Sequence, residues 1–132
     1  MKKIILSIAM LCSIQSFAQT PESVLKELKS KNVLFPEIVL AQSILETGWF
    51  KCNNCSMDVN NLFGLYNSKK KEYFPYTNWE ESINGYKRGI QYKYSKKYDD
   101  YYAFLDDINY ASDPNYISKL KTIVKIIKGE NP

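Results

Sequence analysis

The hydrophobic pattern is most continuous over residues 35–50, which read FPEIVLAQSILETGWF. Pro36 suits the first turn of a helix, where its missing N–H is not needed, and Gly48 suits the left-handed residue just past a helix end. The apolar residues between them, at positions 38–41, 44 and 45, leave almost no polar face, so the pattern predicts a buried core helix that is too short to span a membrane. Gln42 and Glu46 interrupt the pattern, and their spacing places them on the same helix face.

Apolar residues at helical spacing predict four further helices around this one. We expect them at residues 21–30, from a cap at Thr77 or Asn78 to about Tyr92, at about 100–108, and from Pro114 onward with Asp113 as cap. The stretch between the central helix and the third one is instead rich in Asn, Lys and Tyr, and this composition is typical of loops and turns.

Residues 60–76 of that stretch predict a small β-hairpin. Lys69, Lys70 and Lys71 are expected at its solvated tip, whereas Leu62, Leu65 and Phe74 are expected to pack inward. The expected fold class is therefore α+β and mainly helical, with one small hairpin lobe.

The first 18 residues have the pattern of an export signal: two lysines, an apolar run, and small residues at the positions that a signal peptidase reads. Cleavage is expected after Ala18, which leaves residues 19–132 as a single domain in the periplasm or the medium. An uncleaved anchor is the alternative, but the apolar run is short for a spanning helix.

Composition excludes several classes of chemistry. The chain has no histidine, so Ser-His-Asp catalysis, Cys-His catalysis and histidine zinc sites are excluded, whereas hydrolysis by carboxylates remains open. Its 18 basic and 14 acidic residues include two lysines within the predicted signal. The remaining positive balance is too weak to predict nucleic-acid binding. No metal and no cofactor are implied.

Cys52 and Cys55 form a CxxC pair just after the central helix. Two thiols without histidine make a poor metal site, and a thioredoxin-like role requires the pair at a helix start after a strand. In an exported chain the pair favours a small structural disulfide that fixes this loop.

Glu46 lies in the last turn of the predicted central helix, where the helix dipole disfavours a negative charge. Apolar surroundings disfavour the carboxylate as well, so both effects raise the pKa. A carboxyl that stays protonated near neutral pH is suited to act as a general acid. The alternative is a solvated glutamate at a frayed helix end.

Four motifs carry a resemblance to one known family. They are LAQSILETGWF at 40–50, NNLFGLY at 60–66, YTNWEESINGY at 76–86 and NYASDPNYISKL at 109–120. In this order they resemble elements of bacterial glucosaminidase domains, the glycoside hydrolase family 73 group (mannosyl-glycoprotein endo-beta-N-acetylglucosaminidase-like). The chain departs from the family pattern at three positions, with Asn109 for the usual glycine, Ser112 for threonine and Gly85 for an acidic residue.

The resemblance implies a lysozyme-like fold and cleavage of the β-1,4 bond after N-acetylglucosamine in peptidoglycan. By position, Glu46 matches the family's catalytic acid and Tyr110 its active-site tyrosine. The wall of the sugar cleft is matched by Asn61, Phe63 and Gly64.

Three further side chains are candidates for substrate binding. Gln42 shares the helix face of Glu46, and Trp49 is an aromatic able to stack on a sugar ring. Tyr86 matches a motif aromatic that belongs equally well in the core.

The identity of a second carboxylate is left open by the sequence. Glu72 is the candidate from the hairpin lobe, with Glu80 or Glu81 as weaker choices, and helix capping already accounts for Glu81. Carboxyl groups about 5–5.5 Å apart imply retention and about 6.5–9.5 Å imply inversion. With no second carboxylate in reach, assistance by the substrate's acetamido group is the third mechanism, with Tyr110 helping to position it.

Two other functions remain open at this stage. One is a lysozyme or lytic transglycosylase on the same fold, and the other is a catalytically weak module that binds peptidoglycan. In each case the expected partner is a peptidoglycan glycan strand. We expect a monomer without stable membrane insertion after signal cleavage.

Overall fold

The computed structural model describes residues 19–132, so the predicted export signal at 1–18 lies outside the described residues. The helices are α1 (Pro21–Ser30), α2 (Pro36–Thr47), α3 (Trp79–Gly89), α4 (Tyr101–Asp107) and α5 (Tyr116–Ile127), and the strands are β1 (Tyr66–Asn67) and β2 (Glu72–Tyr73). Short 3-10 turns cover Ser56–Val59 and Gln91–Lys93. Within 19–132, no helix combines the length and the apolar character needed to cross a membrane.

The core is built around α2, as the sequence predicts. This helix is buried on almost every side and packs chiefly against α5 and α1. The hydroxyls of Ser43 and Thr47 donate to backbone carbonyls one turn earlier, so they add no unsatisfied polar group to the core. Gly48 ends the helix in the left-handed conformation, with φ of 53°, which confirms the predicted boundary.

The boundaries of α1 also agree with the prediction, because local capping chemistry determines them. Thr20 accepts a hydrogen bond from the Ser23 backbone N–H, and Pro21 occupies the first helical position. Asn78 caps α3 in the same way, by accepting from the Glu81 backbone N–H. However, α3 ends at Gly89 rather than near Tyr92, since the chain tightens into the 3-10 turn that follows.

The predicted start of α5 at Pro114 is two residues too early. The carboxylate of Asp113 accepts from the backbone N–H of Asn115, and the Asp113 carbonyl accepts from that of Tyr116. These bonds form a separate turn before the helix begins at Tyr116. Asp113 therefore organises the turn rather than the first turn of α5.

The hairpin is present but very short. Its two antiparallel strands pair Tyr66 with Tyr73 and Asn67 with Glu72, and the tip lysines are exposed. Leu62 is buried as expected, whereas the prediction that Phe74 packs inward is wrong, because 42% of its surface is exposed. The disulfide between Cys52 and Cys55 is formed, which confirms the predicted pairing of the CxxC cysteines.

Candidate active site

An open groove of about 630 Å³ lies between the hairpin region and the end of α3. One wall carries Glu46 from the last turn of α2, together with the loop through Phe63 and Gly64. The opposite wall is formed by the end of α3 and the turn after it, and Tyr110 contributes from the segment between α4 and α5. The groove therefore joins segments that are far apart in the sequence.

Glu46 projects its carboxyl into this groove. The residue is exposed to solvent, and among residues 19–132 its carboxyl makes no hydrogen bond and no ion pair. Protein atoms nevertheless surround the carboxyl closely enough that partial burial raises the pKa of Glu46 above its usual value. The predicted direction of the shift is thus confirmed, with burial as its cause. A raised pKa favours the protonated form of the carboxyl, which is the form that a general acid requires.

Gly64 fits directly against the Glu46 carboxyl. A Cβ at Gly64 would lie 2.7 Å from Oε2 of Glu46, and the backbone φ of 63° is one that glycine adopts without strain. Neighbouring Asn61 is fully buried, and its amide donates to the carbonyls of Leu65 and Phe74. Its side-chain oxygen accepts from the backbone N–H groups of Phe63 and Leu65. Asn61 therefore shapes the loop and has no polar group left for a sugar.

Tyr110 supports the same loop from behind. Its hydroxyl donates to the Phe63 carbonyl at 2.9 Å, and its ring stacks on Tyr116 at 5.6 Å between centroids. Burial raises the pKa of Tyr110 well above its usual value, and the neighbouring Tyr116 and Glu46 add to the effect. The hydroxyl remains protonated and holds the loop that contacts Glu46. The Phe63 side chain is buried against Tyr86.

Gln42 and Tyr86 lie in the core, away from the groove lining. Both are fully buried. The Gln42 amide donates to the Tyr116 hydroxyl at 3.2 Å, and its oxygen accepts a short hydrogen bond from the Tyr86 hydroxyl. Tyr86 also pairs with the Tyr101 hydroxyl at 2.7 Å. Burial raises the pKa of Tyr101 to about 12, so this network stays uncharged at neutral pH.

The remaining candidates face other surfaces. Glu72 does not line the groove and instead lines a neighbouring cleft, together with Asp58 and Lys71. Trp49 is 41% exposed and lines a small cleft against α1 and α5. Neither these residues nor Glu80 or Glu81 line the groove, so Glu46 is its single carboxyl among the described residues.

Several groove residues escaped the sequence reasoning. The side chains of Tyr66 and Phe74 present exposed aromatic surface there. Tyr76, Arg88 and Lys93 supply polar groups to the groove. The sequence carries two signals for them: Tyr76 opens one of the quoted motifs, and the spacing of Gly85, Arg88 and Gly89 places them on one face of α3. Neither signal reveals that this face turns toward Glu46.

The carboxylates and thiols of residues 19–132 do not gather into a site for a metal ion. No group of three or more Cys, Asp or Glu side chains in this part of the chain has the arrangement to hold one. The chemistry available in the groove is therefore that of one carboxyl, several tyrosine hydroxyls and two cations.

Comparison with protein-family models identifies both the class and the family. The class is that of the glycoside hydrolases, with a lysozyme-like fold in an α+β, mainly helical form. The glucosaminidase model, described as mannosyl-glycoprotein endo-beta-N-acetylglucosaminidase, matches residues 22–129, and the chain belongs to this family. The family acts on the glycan strands of peptidoglycan, so the resemblance found in the sequence motifs is confirmed. Comparison with curated protein sequences gives no significant match.

Proposed function

We propose that the protein is an exported endo-beta-N-acetylglucosaminidase that cleaves the β-1,4 bond after N-acetylglucosamine in peptidoglycan, with Glu46 as general acid. The observation that carries the proposal is the isolated carboxyl of Glu46 in the groove, whose pKa is raised by partial burial. Protonation of the leaving glycosidic oxygen requires such a group. Family membership supplies the bond type and the polymer.

The groove favours a mechanism with one protein carboxyl. Glu72, the candidate for the second acid, lines a different cleft, and no other Asp or Glu of residues 19–132 lines the groove. We infer that Glu46 protonates the leaving oxygen while the substrate's own acetamido oxygen stabilises the cation that develops at the sugar carbon. Tyr110 acts on this reaction by positioning, since its hydroxyl donates to the Phe63 carbonyl.

Aromatic surface in the groove suits a sugar polymer. The rings of Tyr66 and Phe74 are each more than two-fifths exposed there, and Tyr66 is held edge-on against Tyr73 at 5.6 Å. Sugar rings present apolar C–H faces, which such exposed rings are able to cover. We therefore assign sugar stacking to Tyr66 and Phe74 rather than to Trp49, which was the candidate from the sequence.

A lytic transglycosylase is the second candidate, because one acid also suffices for its reaction and the groove carries one. It would cut on the other side of the disaccharide and leave anhydro-muramic ends. The proposal also includes export of the protein, which the sequence pattern of residues 1–18 predicts. The expectation of a monomer that binds neither nucleic acid nor membrane accompanies it.

The test is digestion of purified sacculi with residues 19–132, followed by mass spectrometry of the new ends. We expect reducing N-acetylglucosamine ends with the wild-type protein and none with Glu46→Gln. Reducing or anhydro-muramic ends would replace the proposed specificity by that of a lysozyme or transglycosylase. Binding to sacculi without any new ends would reduce the protein to a wall-binding module.

A further inference from the structure

Two cations lie in the groove without an anionic partner. Arg88 and Lys93 both line it, whereas the ion pairs found among residues 19–132 are Lys31 with Glu27 and Lys119 with Asp113. Glu46 is the one acid among the described residues that line the groove, so the two cations outnumber the acidic side chains there. The groove is therefore positive, although the basic residues of 19–132 exceed the acidic ones by only two.

The position of Arg88 follows from packing along one face of α3. Tyr76 lies over Gly85 so closely that a Cβ at Gly85 would clash with the Tyr76 hydroxyl. Arg88 follows Gly85 by three residues and is near enough to oppose, by its charge, the effect of burial on the Tyr76 pKa. Gly89 adds no side chain to this wall, and a Cβ there would meet nothing within 4 Å. The wall is thus open beside the guanidinium.

The helix dipole favours a cation in the last turn of α3, where both Lys87 and Arg88 lie, but it does not account for Lys93, which lies beyond the end of the helix. Of the two cations in the last turn, Lys87 does not line the groove. Its ammonium donates to the Lys31 carbonyl at 2.6 Å, so it is engaged outside the groove lining. Arg88 makes no hydrogen bond within residues 19–132, and Lys93 lies beyond the end of α3, with its ammonium 5.6 Å from the centroid of the Tyr92 ring.

We propose that Arg88 and Lys93 form an anion-binding subsite that binds a carboxylate carried on the lactyl side of muramic acid as the glycan strand lies in the groove. The inference rests on the proposed function and names the chemical group of the substrate that the two cations bind. N-acetylglucosamine carries no charge, so the carboxylates of peptidoglycan are attached through muramic acid. Guanidinium and ammonium groups are the protein's complement to carboxylate.

Two parts of the substrate can carry the carboxylate that binds at this subsite. Strands with stem peptides carry it on the amino acids of the peptide. Strands stripped of peptide carry it on the lactyl group itself. The subsite distinguishes charged from uncharged substituents in both cases, and the substrates used in the test separate the two sources.

The test measures binding of soluble glycan oligomers to the Glu46→Gln protein, so that its result does not depend on hydrolysis. Arg88→Gln and Lys93→Gln are introduced singly and together, and Lys96→Gln serves as the control because Lys96 is exposed and lies outside the groove lining. Three oligomers of equal length are compared: peptide-substituted, the same after amidation of its carboxylates, and peptide-stripped with free lactyl groups.

We expect each groove variant to raise the Kd for the peptide-substituted oligomer by about 3–10-fold, the range of a solvent-accessible charged contact. The double variant should lose more, and the amidated oligomer should be unaffected by all of them. A loss confined to the stripped oligomer assigns the lactyl carboxylate, a loss confined to the peptide-substituted oligomer assigns the stem peptide, and a loss on both shows that the subsite binds either carboxylate.

Equal losses on the charged and amidated oligomers would overturn the subsite, as would unchanged binding in the double variant. Failure of the proposed function is recognised separately, because it appears as the wrong ends or no ends in sacculus digests of the protein with Glu46 intact. The Lys96→Gln control shows whether a change reflects the groove or only the net charge.

Discussion

Gln42 and Glu46 lie one helical turn apart on α2 but in opposite environments. Gln42 is fully buried and satisfied on both sides by tyrosine hydroxyls. Glu46 is exposed in the groove, and its carboxyl has no hydrogen-bond partner within residues 19–132. The same helix therefore carries one polar side chain that stabilises the core and one whose hydrogen-bonding capacity is unused.

This difference separates structural polar groups from chemical ones. A buried polar group in a complete network contributes to stability and has nothing to offer a ligand. A carboxyl partly removed from water and left without partners is held at some cost to stability, which is typical of a functional site. Sequence spacing alone does not separate the two, since both residues share a helix face.

The largest expected effect is on activity in Glu46→Gln. Removal of the proton donor should lower the rate of glycan cleavage by about 10²–10⁴-fold. Folding should be intact, because the carboxyl makes no hydrogen bond that the amide would have to replace. The measurement is release of soluble fragments from sacculi, with circular dichroism as the folding control. Cleavage at the wild-type rate in this variant would show that Glu46 is not the proton donor.

Gly64→Ala should give the next largest effect. The added Cβ would enter the space of the Glu46 carboxyl and displace it, and a misplacement of about 1 Å can cost about 10²-fold in rate. Gly129→Ala is the matched control, since Gly129 also has a positive φ, of 72°, but nothing lies within 4 Å of the added Cβ. Both variants share the backbone strain, so only Gly64→Ala should lose activity beyond its loss of stability. Equal activities of the Gly64→Ala and Gly129→Ala variants would contradict the expectation that the close fit of Gly64 against Glu46 matters for cleavage.

Gln42→Leu should affect stability rather than chemistry. Tyr86 and Tyr116 would each lose a buried partner, which lowers the free energy of unfolding by about 1–3 kcal/mol. Urea denaturation measures the loss, and Tyr116→Phe completes a double-mutant cycle for the Gln42–Tyr116 bond. A stable Gln42→Leu protein that fails to cleave glycan would show that Gln42 acts in the substrate site and not only in the core.

The smallest effect is the pH dependence of stability at Glu46. Its pKa in the folded protein is raised above the ordinary value of 4.5, so folding favours the protonated form. The contribution to stability is complete below the unfolded pKa and is lost as the pH rises through the folded pKa. Glu46→Gln removes this loss, so the variant should gain stability relative to wild type as the pH rises. Because the group is exposed, the gain should stay below about 1 kcal/mol. Urea denaturation at several pH values measures it, and a relative loss would contradict the sign.

Local elements were predictable because their determinants lie in adjacent residues. The cap at Thr20, the proline at position 21 and the glycine after α2 give the correct ends of α1 and α2. The start of α5 was misplaced because Asp113 bonds to Asn115 in a turn of its own. Phe74 was assigned to the core on polarity, although its position beside the groove exposes it.

The sequence by itself determined the α+β class, the central helix, the family and the elevated pKa direction of Glu46, because periodicity, capping and motif order are local properties. Only the tertiary structure decided that Tyr86 belongs to the core, that Glu72 faces another cleft and that Arg88 shares a groove with Glu46. The physical reason is that a side chain's environment depends on which distant segments pack against it, and one sequence does not record those contacts.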